Sequence, residues 1–363
     1  FILESAINEI IKNGAVLASP GEFTQRAFLN GKLDLVQAEA VGDLIASESR
    51  SAHMIAMSQM KGNVSKILEE LRQKLIDFAA LIELELDFTE EDVEFANRAQ
   101  LSNLITELKL EIQKMINSFN LGNAIKRGIP LIIVGEPNAG KSTLLNRFLE
   151  DDRALVTDIA GTTRDSIEER FRLGDHLFRI TDTAGLRKSN DKVEKLGIER
   201  SWRLMSEGHI ILFLIDPLTS VKKNILELEK DIKLKAPSAH LIKILTKSDL
   251  WNGENYHLDY PECIEIGIGS GLSQIKSKLS SIIDKTEWNG NSEILIANIR
   301  HAKALKTSLD SILKAEKCLS DGSSGEIISY ELRDALESLG SITGEIIADD
   351  LLSSVFSRFC IGK

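Results

Sequence analysis

Gly135-Glu136-Pro137-Asn138-Ala139-Gly140-Lys141-Ser142 decides the fold of this chain. It stands between the apolar run Ile129-Pro130-Leu131-Ile132-Ile133-Val134 and a helical pattern that begins Thr143-Leu144-Leu145. GxxxxGKS between a strand and a helix is a phosphate loop. Its backbone amides wrap phosphate oxygens, and the positive N-terminus of the following helix adds to the attraction. Glycines at 135 and 140 keep side chains out of the way and permit the turn. Asn138, Ala139, Gly140, Lys141, Ser142 and Thr143 are therefore candidate nucleotide contacts. Lys141 is directed to the β- and γ-phosphates and Ser142 to magnesium.

Outward from this loop, apolar runs recur at 176–181, 209–215 and 240–245, and helical patterns separate the later ones. That alternation predicts a mostly parallel sheet covered on both faces. Asp182-Thr183-Ala184-Gly185 closes the first of these runs. A carboxylate at a strand end holds magnesium through water, and the Gly185 amide can face the γ-phosphate. Gly161-Thr162-Thr163-Arg164-Asp165 lies between the two motifs, and the Thr163 hydroxyl is assigned to the magnesium shell.

Thr246-Lys247-Ser248-Asp249 follows the run at 240–245 and resembles the NKxD guanine-recognition pattern of small GTPases. Asp249 can accept hydrogens from the guanine ring nitrogen and the exocyclic amine, while the Lys247 stem covers the base. Adenine lacks that paired donor edge, so the site prefers GTP and GDP to adenine nucleotides. Thr246 stands where asparagine is usual, which weakens the motif. Glu265-Ile266-Gly267 occupies the place of the usual Ser-Ala-Lys. Leu186 follows Gly185 where Ras-like enzymes carry a glutamine, and leucine cannot orient a water. From the residues alone, Asp191, Glu194 and Glu199 all remain candidates for that task.

The flanks differ in texture. Residues 1–124 are predominantly helical, with a turn at Ala18-Ser19-Pro20-Gly21. Ile67, Leu71, Leu75, Phe78 and Ile82 form one apolar stripe of a long helix. The acidic run from Glu83 to Glu94 is expected to be a solvated face. Trp288-Asn289-Gly290-Asn291 has linker character; helical patterning returns at 294–318 and 326–339, and a last helix is expected from Asp349 or Asp350. The expected architecture is an α/β P-loop GTPase domain, Ras-like with a mostly parallel sheet, inserted into an all-α helical domain. Its boundaries are 1–124 for the first helical part, 125–290 for the GTP-binding domain and 291–363 for the second helical part.

At 363 residues with 43% hydrophobic composition, the chain can bury substantial cores, which excludes global disorder. A formal charge of -11 argues against indiscriminate nucleic-acid binding, although a local basic patch is compatible with it. Cys263, Cys318 and Cys360 are too scattered for a disulfide framework or a CxxC metal site. A reduced, cytoplasmic setting without membrane association is the expectation. The chain opens on Phe1 rather than Met, as a piece of a longer protein would.

Taken together, these motifs resemble the MnmE, or TrmE, family of tRNA-modification GTPases. The front segment from Pro20 to Leu35, PGEFTQRAFLNGKLDL, is similar to that family's PGEFTxRAFxNGKxDL. Gly197-Ile198-Glu199-Arg200, Asn298-Ile299-Arg300-His301 and the terminal Phe359-Cys360-Ile361-Gly362-Lys363 fit further family positions. The resemblance covers essentially the whole chain. It implies a preceding N-terminal domain that dimerises and supplies much of a formyl-tetrahydrofolate pocket, with Cys360 as a catalytic candidate beside it. Two G domains are implied to pair as a homodimer around potassium, ligated by Asn138 and by the segment carrying Thr157, Ile159 and Thr162. Glu194 is implied to orient the attacking water, and the flavoprotein MnmG (GidA) to be the partner in modifying the wobble uridine of tRNA at C5. A ribosome-assembly or signalling GTPase acting as a binding switch is the alternative.

Overall fold

The computed structural model describes residues 1–87, 98–152, 168–182, 209–252, 256, 260, 262–285, 295–346, 355 and 359. The chain divides into two compact units, one of residues 1–48, 52–123 and 293–363 and one of residues 49–51 and 124–292.

In the first unit, α1 (Ile2–Lys12), α2 (Glu22–Leu29), α3 (Leu35–Ala46) and α4 (Arg50–Met60) lead into the long α5 (Asn63–Asp87) and α6 (Arg98–Arg127). The predicted stripe on α5 is real: Leu71, Leu75, Phe78 and Ile82 are buried and Ile67 packs beside them. They meet Ile105, Leu108 and Ile112 of α6 and the apolar faces of two helices from the far end of the chain, α10 (Ile299–Ser320) and α11 (Gly325–Thr343). Both all-α portions thus build one core, as expected. Lys109 on α6 pairs with Glu316 on α10 at 2.6 Å. None of the helices among the described residues is long and apolar enough to cross a membrane.

One expectation needs correction here. Helical patterning was expected from 294, yet Leu295, Ile296 and Ala297 are buried outside any helix, and α10 starts only after Asn298. The Asn298 side chain caps it by accepting from the Arg300 N–H at 2.9 Å. The apolar spacing reflects packing: Ile296 N–H donates to Ser118 Oγ at 3.1 Å, and its carbonyl runs so close to α6 that a Cβ on Gly122 would lie 2.4 Å from it. Of the acidic run expected to form a solvated face, Glu83 is exposed as expected, accepting from Arg333 at 2.6 Å and from Ser329, and the side chains beyond it lie outside the described residues.

The second unit holds β1 (Ile129–Gly135), α7 (Lys141–Asp152), β2 (Glu168–Leu173), β3 (His176–Asp182), β4 (Ile210–Ile215), α8 (Lys222–Lys235), β5 (His240–Leu245), β6 (Ile264–Glu265) and α9 (Leu272–Lys285). The sheet order is β2-β3-β1-β4-β5-β6; β2 runs antiparallel to β3 and every other pairing is parallel. Every residue of β4 is buried, as befits a central parallel strand. Phe148 of α7 packs on Phe171 of β2, which stacks on Phe178 of β3, with centroids 4.8 and 5.0 Å apart. The chain leaves β1 for β3 on one side and returns to β4 on the other. The C-terminal end of β1 is therefore a topological switch point, where open α/β sheets bind ligands.

Candidate functional site

The phosphate loop spans the gap between Gly135, the last residue of β1, and Lys141, the first of α7. Asn138 and Gly140 take left-handed backbone, at φ 61° and 91°. Gly140 is needed for that conformation, whereas Gly135 is needed for proximity: a Cβ there would sit 2.5 Å from the Leu214 carbonyl of β4. Ala139 is buried beneath the loop, and Ser142 and Thr143 are exposed at the start of α7. The Lys141 ammonium folds back over the loop and donates to the carbonyls of Gly135 at 2.8 Å and Glu136 at 2.7 Å. A cation held by backbone dipoles beside the first amides of α7 suits an arriving phosphate.

At the end of β5, the buried Thr246 donates its hydroxyl to the Ile215 carbonyl at 3.3 Å. Lys247 has φ 59°, and its ammonium reaches Asp216 Oδ2 at 2.6 Å. Asp216, the residue after β4, is 1% exposed and also accepts from Thr219 Oγ1 at 2.8 Å and the Leu218 N–H at 3.1 Å. Burial alone would raise its pKa; the hydrogen bonds from Lys247, Thr219 and Leu218 outweigh it and hold the carboxyl below its ordinary value. The Lys247 ammonium is thereby tethered. Asp249 is exposed, and its Oδ1 accepts from the Ile268 N–H at 3.0 Å.

The stretch 265–271, to which sequence gave no side-chain contact, has a definite role. Ser248 N–H donates to the Ile266 carbonyl at 3.1 Å, and a Cβ on Gly267 would lie 2.7 Å from Ser248 Oγ and 2.9 Å from Asp249 Oδ1. Glycine at 267 is what lets the two loops touch. Arg147 on α7 reaches across, donating to the Gly267 carbonyl at 2.9 Å and the Ser270 carbonyl at 3.0 Å.

The structure thus brings Asn138 through Thr143 and Thr246, Lys247 and Asp249 to the same C-terminal edge of the sheet, where Asp182 also ends β3. Thr157, Ile159, Thr162, Thr163, Thr183, Ala184, Gly185, Glu194 and Cys360 lie outside the described residues. Sequence reasoning missed Asp216 and Arg147. The strand-end logic applied to Asp182 fits Asp216 equally well; Arg147, mid-helix, carries no local signal.

The front motif and the chain's end meet in the helical unit. Asp34 and Gln37 form a reciprocal cap on α3, at 2.8 and 3.0 Å. Phe28, Leu35 and Ala38 pack with Val355 and Phe359, the neighbour of Cys360. Beneath them Glu39 accepts from Asn298 at 3.0 Å, Arg300 at 2.9 Å and His301 at 2.7 Å, and Arg300 also holds the Ser341 and Ile342 carbonyls at the end of α11. Burial disfavours the Glu39 carboxylate, but His301 and Arg300 more than offset it and pull its pKa down to about 2.

A family model described as the MnmE helical domain matches residues 35–360. A tRNA modification GTPase MnmE from Bacteroides thetaiotaomicron is 42% identical over all of this chain and 80% of its own length. The MnmE of Cytophaga hutchinsonii is 42% identical over all of this chain and 79% of its own. Among solved structures, Era from Aquifex aeolicus aligns over 51% of this chain and 66% of its own, at 20% identity and a TM-score of 0.32.

Proposed function

The chain belongs to the MnmE family of tRNA modification GTPases and is a GTP hydrolase acting in tRNA modification; we propose that potassium-dependent pairing of two G domains drives that hydrolysis, with MnmG as partner. The observation that carries the nucleotide site is the convergence of the phosphate loop and the Asp249 loop on one sheet edge.

In this account the loop amides and Lys141 bind the phosphates, the Lys141 ammonium exchanging carbonyl partners for phosphate oxygens. Asp249, oriented by the Ile268 N–H, accepts from the guanine edge, and Lys247, tethered by Asp216, covers the base. Ser142, Thr163 and Asp182 would hold Mg2+, and Asn138, Thr157, Ile159 and Thr162 would hold K+, hard cations suited to these oxygen donors. Bound there, the cations neutralise charge that develops on the phosphoryl oxygens. Glu194 orients the attacking water, the task Leu186 cannot perform. Thr183, Ala184 and Gly185 complete the phosphate contacts. GTP donates no atom to tRNA; its hydrolysis shifts the balance between two conformations with different affinity for the nucleotide. Formyl-tetrahydrofolate is a ligand of the complete protein, with Cys360 beside it. We place the reaction, C5 modification of the wobble uridine, in the cytoplasm.

Asp249→Asn tests the base assignment. Xanthine carries a carbonyl where guanine has its amine, so the amide should trade GTP turnover for XTP turnover. Unchanged GTP preference would contradict it. Co-purification with MnmG, and loss of uridine modification in a Glu194→Ala strain, test the wider role; association with ribosomal particles without either would favour the binding-switch alternative.

A further inference from the structure

The base-binding loops of this chain are braced from the phosphate-loop helix. An asparagine at position 246 would offer two amide donors and a carbonyl acceptor, whereas threonine has one hydroxyl, and Thr246 donates it to the Ile215 carbonyl at 3.3 Å. The place of the usual Ser-Ala-Lys is taken by Glu265-Ile266-Gly267, so no serine side chain there can hold Asp249. What holds it is the backbone N–H of Ile268, at 3.0 Å. That amide sits in a turn whose Gly267 and Ser270 are bonded both ways: Gly267 N–H to Ser270 Oγ at 3.2 Å and Ser270 N–H to the Gly267 carbonyl at 3.3 Å. The Ile268 side chain is 89% exposed and gives the turn no apolar anchor. Arg147 supplies a polar anchor instead, its guanidinium gripping the carbonyls at both ends of the turn, at 2.9 and 3.0 Å. A planar fork with two parallel donors fixes direction as well as distance, which a flexible ammonium does not.

We propose that Arg147 is a positioning residue for base selection: it fixes the 267–270 turn from the phosphate-loop helix, so that the Ile268 amide presents the Asp249 carboxylate to the guanine edge. The role rests on the guanine-site assignment. It also links the two ends of the nucleotide, since α7 begins with Lys141 and Ser142 and carries Arg147 farther along.

The test is calorimetric titration of the whole chain with GDP, IDP and ADP in magnesium buffer, comparing wild type with Arg147→Ala, Arg147→Lys and Ser270→Ala. IDP keeps the ring N–H of guanine and lacks only the 2-amine, so the GDP-to-IDP ratio reports how well Asp249 meets that amine. Arg147→Ala should weaken GDP by about tenfold, the scale of one charge-assisted hydrogen bond, weaken IDP less and leave ADP unchanged. The lysine variant should recover part of the ratio, and Ser270→Ala should move it in the same direction by less. An equal loss for all three nucleotides, or no loss for GDP, would overturn the proposal. If Arg147→Ala fails to fold, judged by its melting without nucleotide, the lysine and serine variants decide. Wild-type protein that does not prefer GDP to ADP would instead condemn the guanine assignment itself, whatever Arg147 does.

Discussion

Single residues at this site act through what they tether. Lys141→Ala should cost nearly all measurable GTP binding, because the loop loses its only side-chain cation among the described residues from 135 to 142. Asp216 is subtler: Asp216→Ala leaves the Asp249 contact in place but frees Lys247, so GDP affinity should drop severalfold while ADP affinity holds. Equal loss for both nucleotides in a titration would mean Asp216 merely stabilises the fold. The phosphate loop and Asp249 were legible in the sequence because their chemistry lies in contiguous residues at strand ends. Asp216 was not read because Ile215-Asp216-Pro217 has no motif around it, and for Gly135, credited with avoiding obstruction and permitting the turn, the sequence did not show that the neighbour it must clear is the Leu214 carbonyl. Those facts depend on which strand lies beside which, and the order β1-β4-β5 is not written locally.

Among elements, the legible ones were those with strong periodicity. The α5 stripe and the strands β1, β3, β4 and β5 match the pattern of apolar residues. By contrast β2, Glu168-Glu169-Arg170-Phe171-Arg172-Leu173, has too much charge to read as a strand, and it forms by pairing with β3 and burying Phe171. Gly122 tests the packing of the 295–297 segment on α6. Alanine there must push the Ile296 carbonyl away and should lower the helical unit's stability by about 2 kcal/mol, the scale of overpacking, seen as a lower melting temperature. An unchanged melting temperature would mean the approach is not tight. Glu39 joins α3, α10 and the end of α11, and its lowered pKa has a definite sign. With a folded value of about 2 against an ordinary 4.5, its contribution is complete above the ordinary value and is lost as pH falls toward 2. Glu39→Gln should cost about 3 kcal/mol at neutral pH, as breaking a buried charge pair does, and should flatten the acid branch of the stability profile. An acid branch as steep as that of wild type would contradict this.

At the scale of the whole molecule, the helical core joins segments that the G domain separates in sequence. Ile296 lies against Ser118 and Gly122, so the two ends of the helical unit meet where the insertion departs. Joining residues 1–123 to 294–363 through a short flexible linker should therefore leave a helical protein that melts cooperatively and binds no GDP. A non-cooperative, largely unfolded product would show that the helical core depends on the insertion. The insertion itself was legible, because the texture changes abruptly on either side of the nucleotide motifs; the four-helix pairing was not, since amphipathic helices do not name their partners. Most direct for the central claim is the initial rate of GTP and ATP hydrolysis by the purified chain in potassium and sodium buffers of equal ionic strength, over a range of protein concentrations. The expected result is GTP-specific turnover that is faster in potassium and rises more steeply than protein concentration, as pairing of G domains requires. ATP turnover equal to that of GTP, or GTP turnover indifferent to both cation and concentration, would contradict it.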